Sequence, residues 1–227
     1  MIQLIRQPGL QIGMPRPYGD VHAQLTVLVM TAMTGTPETW LLETHDSFAS
    51  IEALDLAMTP AVQNQLEAMD GQSRFQLEVT AAPKTLIGVY RPTFSYLPAD
   101  AVKLLPRAHY YFASIYQVRL GTEPEFLEAV RRRRAAYNVV HLDKPELAYQ
   151  VVSGAPVGTF VFFTPLPSLK TIDEALSRSP ETPVKGVSEG EISREHFLLR
   201  VEPRQSYVSD EFAETDMEFW RGIAKKE

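Results

Sequence analysis

The sequence predicts an α+β protein made of two tandem copies of one β-α-β-β-α-β unit, packed sheet to sheet. Three observations predict it. The chain has 227 residues, which fits two units of about 100 residues each, packed as one body. Three short sequence blocks occur in the same order in both halves. The second half also reads through as strand, helix, two strands, helix and strand.

The repeated blocks come first. Gly35-Thr36-Pro37-Glu38-Thr39-Trp40-Leu41-Leu42 resembles Gly154-Ala155-Pro156-Val157-Gly158-Thr159-Phe160-Val161. Ser47-Phe48-Ala49-Ser50-Ile51-Glu52 matches Ser168-Leu169-Lys170-Thr171-Ile172-Asp173. Pro92-Thr93-Phe94-Ser95-Tyr96 matches Pro203-Arg204-Gln205-Ser206-Tyr207. A single match could be chance, but three in one order indicate a duplication. The alignment sets Thr39 against Thr159, Trp40 against Phe160 and Pro92 against Pro203.

In the second copy, residues 110–119 are aromatic and β-branched and are stopped by Gly121, the pattern of a strand. Residues 123–137 form a helix: Phe126, Val130 and Tyr137 recur at helical spacing, and Pro124 sits in the first turn, where its missing N–H does no harm. Residues 147–153 and 159–164 are two strands joined by a Gly-Ala-Pro-Val-Gly turn. Ser168 caps a short helix through Leu176. Residues 196–202 form the last strand, ended by Pro203. This order is the split βαβ, or ferredoxin-like, unit.

The first copy shows the hairpin (25–33 and 39–44), the helix (47–57) and the last strand (85–91), with an extra helical stretch at 61–69. Only 24 residues precede Leu25, and Pro8, Gly9, Gly13, Pro15, Pro17 and Gly19 break them up. A strand at 2–6, paired with 85–91, and a loop over 8–20 fit there; a first helix does not. The division is therefore 1–100 for an N-terminally shortened first unit and 101–227 for the second unit with a C-terminal tail.

One such unit leaves a bare sheet face that must be covered. The second copy supplies the cover, giving a barrel-like body with a cavity between the sheets. Side chains alternate along the strand at 110–119. Tyr110, Phe112, Ser114, Tyr116 and Val118 share one face; Tyr111, Ala113, Ile115 and Gln117 share the other. The smaller Ala113 and Ile115 suit a covering helix. Tyr110, Ser114 and Tyr116 are thereby assigned to the cavity wall as ligand-binding residues.

At this point the sequence resembles the dimeric α/β-barrel superfamily, with its antibiotic-biosynthesis-monooxygenase-like and NIPSNAP-like domains. The residues that carry the resemblance are Arg119-Leu120-Gly121 before Glu125-Phe126, then Ser153-Gly154-Ala155-Pro156-Val157-Gly158-Thr159. It implies a pseudo-dimeric α/β barrel, with small-molecule binding or cofactor-independent monooxygenase-like chemistry between the two sheets. A non-catalytic structural or interaction protein and a haem-binding protein stay open as alternatives. Some relatives with this fold cut haem using an asparagine, a tryptophan and a histidine. Here Asn64 and Asn138 are the only asparagines, neither on a cavity-facing strand, and Trp40 is read as core. No cofactor is therefore called for.

Net charge of −6 and a pI near 5.5 argue against nucleic-acid and anionic-membrane partners. A small-molecule ligand and a homodimer fit. There are no cysteines, which excludes disulfides, thiolate metal sites and a cysteine nucleophile. No signal peptide and no apolar run of about 20 residues is present, and a cytoplasmic location is expected.

The histidines His22, His45, His109, His141 and His196 make no metal-ligand spacing, so no metal is expected. His45, between a strand and a helix capped by Asp46 or Ser47, is the candidate proton carrier at the cavity mouth. Gly186-Val187-Ser188-Glu189-Gly190 matches a nucleophile elbow but lacks the strand before it and the acid-then-histidine order after it. Arg131-Arg132-Arg133-Arg134 reads as a solvated helix face, with Glu128 in ion-pair reach.

Overall fold

The computed structural model describes residues 1–8, 26–57, 84–139, 144–178 and 190–222. Its strands are β1 (Ile2–Pro8), β2 (Val27–Ala32), β3 (Glu38–Thr44), β4 (Lys84–Tyr90), β5 (Tyr110–Val118), β6 (Leu147–Ser153), β7 (Thr159–Leu166) and β8 (Glu191–Val201). The helices are α1 (residues 48–57), α2 (Pro98–Leu104), α3 (Glu123–Val139), α4 (Lys170–Arg178), α5 (Asp210–Glu214) and α6 (Met217–Arg221).

All strand pairs are antiparallel, and the order β1-β3-β2-β8-β5-β7-β6-β4 closes on itself as a barrel. Closure removes the sheet edges, where unpaired N–H and C=O groups would invite aggregation. It also gives every strand an inner and an outer face. β7, Thr-Phe-Val-Phe-Phe-Thr-Pro-Leu, is buried at all eight positions, the unbroken apolar run of a strand covered on both sides.

The strand order within the first four is β4-β1-β3-β2, and within the last four β8-β5-β7-β6. β1 fills the slot expected for the N-terminal segment: Leu4 lies opposite Leu42 on one side and Leu86 on the other. The corresponding slot in β5 places Ala113 opposite Phe163 and Phe197. The expected loop over 8–20 and helical stretch at 61–69 lie outside the described residues, as does the nucleophile-elbow serine.

Two straps tie the halves together. After β4, Ser95 Oγ accepts the Ala148 N–H at 2.9 Å and donates to the Arg91 carbonyl at 3.0 Å. After β8, Ser206 Oγ accepts the Val29 N–H at 2.9 Å and donates to the Glu202 carbonyl at 2.9 Å. Arg91 N–H and Glu202 N–H likewise donate to the carbonyls of Ala148 and Val29. The block around Pro92 and the block around Pro203 therefore occupy matching places.

The block around Thr39 needs a correction of one residue. Trp40 pairs across from Met30 and Val161 across from Tyr149, all four pointing into the barrel, whereas Phe160 packs outside against Phe126. Trp40 thus corresponds to Val161, and Thr39 to Phe160 rather than Thr159. A shift of one residue moves every side chain to the opposite face.

The same parity corrects the faces of β5. Tyr111, Ala113 and Ile115 point into the barrel, where Leu4, Met30, Trp40, Phe163 and Leu199 complete the core. Tyr116 and Val118 lie outside, under α3, with Phe126, Val130, Phe160 and Phe162. One end of the barrel is filled by Arg6. Its guanidinium lies 4.9 Å from the Trp40 ring and 4.8 Å from Phe197, and it bonds both Glu38 carboxylate oxygens, at 2.9 and 3.0 Å. Such a bidentate pair is roughly twice as strong as a neutral hydrogen bond and fixes the geometry of both side chains.

At the other end the connection between the halves, α2 and the turn Leu105–Arg107, runs over the barrel mouth. It leaves Tyr96 through Leu97, a non-glycine residue with φ of 42°, an uncommon conformation that the surrounding structure must hold. The tail clamps it: Trp220 Nε1 donates to the Pro106 carbonyl at 2.7 Å, and His109 stacks on Phe219 while bonding Asp216 at 2.8 Å. No helix among the described residues is long and apolar enough to cross a membrane.

Two outcomes are expected. Phe126→Ala, emptying a site where Phe94, Phe160, Phe162 and Tyr116 meet, should cost about 3–5 kcal/mol in urea unfolding. Ser206→Ala strips the buried Val29 N–H of its partner and should cost about 1–3 kcal/mol in the same assay.

Candidate functional site

The barrel interior is not filled throughout. Past Leu4, toward the Ile2 end of β1, the side chains of Ile2, Leu28, Leu42, Leu147 and Phe163 leave a cavity of about 310 Å³. Val102, Leu105, Pro106 and Phe212 roof it. A wider groove of about 1140 Å³ adjoins it between α1 and α2. Thr44, Val102, Leu105, Leu147 and Tyr149 line both spaces.

Three tyrosines mark the path inward. Tyr90 lines the groove, Tyr149 lines both spaces, and Tyr111 lines the cavity. Tyr90 and Tyr149 have ring centroids 5.8 Å apart. Tyr111 is fully buried, and its hydroxyl has no hydrogen-bond partner among the described residues. A buried unpaired hydroxyl costs free energy, so native proteins rarely keep one without a role. Burial, with Tyr149 adding to it, pushes the Tyr111 phenol far above its usual range. It stays a neutral donor at any physiological pH. Burial and then Tyr90 push Tyr149 up to about 12.

The residues assigned from sequence lie elsewhere. Tyr110, Ser114 and Tyr116 are on the outer face of β5. There Tyr116 accepts from Arg133 at 2.7 Å, and Ser114 Oγ lies 2.9 Å from His196 Nδ1. His45 does line the groove, at the mouth, but not the cavity. Its Nε2 is 3.4 Å from Glu43, both side chains being buried. Ser47, not Asp46, caps α1: its Oγ accepts the Ser50 N–H at 3.2 Å.

The arginine run splits. Arg131 and Arg132 are exposed, and Arg131 meets Glu128 at 3.7 Å as expected. Arg133 turns inward to Tyr116 and Glu146, and Arg134 donates to the Thr93 carbonyl. The solvated-face expectation therefore holds for half the run only. Trp40 is in the core, and Asn138 accepts from the Tyr96 hydroxyl. Among the described residues no three His, Asp or Glu side chains are grouped to hold a metal ion.

Sequence reasoning missed Tyr111, Tyr149 and the roof. The doublet Tyr110-Tyr111 carried the signal, and parity decided it wrongly. The roof left no trace beyond the apolar residues of the inter-unit connection.

No family model matches the sequence, and no curated protein matches it. Solved structures do. A mutant chlorite dismutase from Candidatus Nitrospira defluvii superposes with a TM-score of 0.51 at 10% identity, over 94% of this chain and 94% of that one. A proposed monooxygenase from Lactobacillus acidophilus NCFM gives 0.48 at 11%, over 88% and 93%. An anthrone oxidase-like protein gives 0.46 at 9%, over 88% and 90%. At this identity the likeness is one of fold, and that fold is the dimeric α/β barrel resembled by the sequence.

One outcome follows from the tyrosines. Folding raises Tyr149 and Tyr111 above the ordinary phenol value of about 10. The unfolded chain therefore loses those protons first, and stability should be intact below pH 10 and fall as pH rises toward 12. Urea midpoints measured from pH 9 upward, with Tyr149→Phe as the comparison, check it: the variant should lose less.

Proposed function

We propose that the chain binds a small, largely apolar molecule carrying one hydrogen-bond acceptor, held in the capped end of its barrel. The observation behind this is the buried Tyr111 hydroxyl, unpartnered among the described residues, beside a cavity lined mostly by hydrocarbon, with Tyr149, Thr26 and Thr44 as its other polar residues. Apolar walls with one or two placed polar groups are what ligand sites consist of. The donor suits a carbonyl or phenolate oxygen, and the cavity volume suits a molecule of two or three fused rings.

Binding is favoured over catalysis. The polar residues along the cavity are Tyr111, Tyr149, Thr26 and Thr44, none of which is a base near neutral pH. Monooxygenase-like proton transfer would fall to His45, which reaches the mouth alone. The same reading includes two tandem ferredoxin-like units, near 1–100 and 101–227, joined as a pseudo-dimer. Its support is the repeated strand order and the matched serine straps. The ligand site then belongs to both units, and a second copy of the chain is not needed to complete it.

Calorimetric titration with fluorenone tests this. The native chain should bind one equivalent. Tyr111→Phe should bind about 10-fold more weakly, or about 1.4 kcal/mol, while being as stable or more stable, since it removes an unpaired buried hydroxyl. Leu105→Trp, which fills the roof, should not bind. Equal affinity in the native chain and Tyr111→Phe, or no binding at all, would refute the assignment.

A further inference from the structure

The outer face of β5 holds a second arrangement, separate from the cavity. Antiparallel register sets Ser114 between Phe162 and His196, and Tyr116 between Phe160 and Arg194. α3 lowers Arg133 onto this face, where its guanidinium lies 5.8 Å from the Tyr116 ring and 5.4 Å from Phe162. Arg194 approaches Tyr116 at 5.9 Å, and Lys144 Nζ stands 4.9 Å over Phe112. His196 packs against Phe112 at 5.3 Å and Tyr116 at 6.3 Å.

Three basic side chains and an imidazole thus surround three aromatic rings, Phe112, Tyr116 and Phe162, on a chain whose net charge is −6. Two local carboxylates meet two of the three, and Lys144 is left over. Glu146 is taken up by Arg133 at 2.8 Å, and Glu191 reaches Arg194 at only 3.5 Å. Lys144 has no carboxylate in ion-pair contact among the described residues, although burial lowers its pKa. Arg133 Nε and Thr164 Oγ1 are both buried with nothing bonded to them among the described residues. Thr164 lies directly across from Phe112 on the same face. Burial, then Arg194, Lys144 and Arg133, lowers the pKa of His196, which places all three charges within its reach. A largely buried ammonium without an ion-pair contact is costly to desolvate.

We propose that this face is a binding site for an oxyanion, a phosphate or carboxylate group, held by Lys144, Arg133 and Arg194, with His196 and Ser114 at its border. An anion there supplies the missing countercharge and gives Lys144 a partner. It also reverses the electrostatic pressure on His196, whose imidazole becomes easier to protonate.

The probes are inorganic phosphate and acetate, with sodium chloride at matched ionic strength as the screening control. The readout is the His196 imidazole resonance, followed by NMR as a function of probe concentration. A saturable shift with phosphate or acetate, and a His196 titration midpoint moved upward, are expected. Whichever saturates at lower concentration identifies the group. Lys144→Gln should weaken the response at least 10-fold without lowering the melting temperature. Arg194→Gln is the second variant, and should act alike. A response that sodium chloride reproduces, that stays linear, or that is unchanged in both variants marks an adventitious ion only and overturns the proposal. Fluorenone binding should be unaffected by either substitution, so this test stands apart from the one above.

Discussion

The structure depends on two seams, β2 against β8 and β4 against β6, where the halves join into one closed sheet. Both are short. β2 and β8 share three paired positions, and β4 meets β6 across a bulge between Ile87 and Gly88. Gly88 fits closely there: a Cβ would lie 3.1 Å from Tyr149 Cβ and 3.2 Å from Ile2, so those neighbours would have to give by a few tenths of an ångström. The serine straps add side-chain bonds to the backbone pairing of each seam. Had these seams failed, each half would present an open apolar face and two raw edges.

Closure has an energetic corollary. With the strands covered inside and out, polar groups on them must find partners or pay for desolvation. Most do: Arg6 has Glu38, and Arg133 has Tyr116 and Glu146. Among the described residues, the Tyr111 and Thr164 hydroxyls do not. One faces the inside of the barrel and the other the outside, so the two sites inferred from them are distinct in space and in chemistry. A protein selected only for stability would carry phenylalanine and valine at these positions.

Much of the architecture was legible because it rests on local patterns. Gly154 and Gly158, with φ of 87° and 85°, made the second hairpin readable. Pro124, Ser168 and the aromatic run of β5 marked the next elements, and the blocks at Pro92 and Pro203 announced the straps. What sequence could not supply was which side of β5 faces inward. Both faces carry aromatic residues because both are buried, so polarity gave no vote. A match of threonines then fixed the repeat one residue out of step. The cavity residues were missed for that one reason: Tyr110 was chosen where Tyr111 belonged. The cationic face was hidden for another, since Lys144, Arg133 and Arg194 come from three separate elements.

The Arg6–Glu38 pair makes the two ends of the barrel unlike. It sits under Trp40 and Phe197 at the far end and fills that end with charge as well as bulk. The cavity lies at the other end, beneath Val102 and Leu105, where the covering segment is tied to the tail by the Trp220–Pro106 bond. The barrel is thus polar in the chemical sense as well as the directional one: an ion pair plugs one mouth and hydrocarbon covers the other.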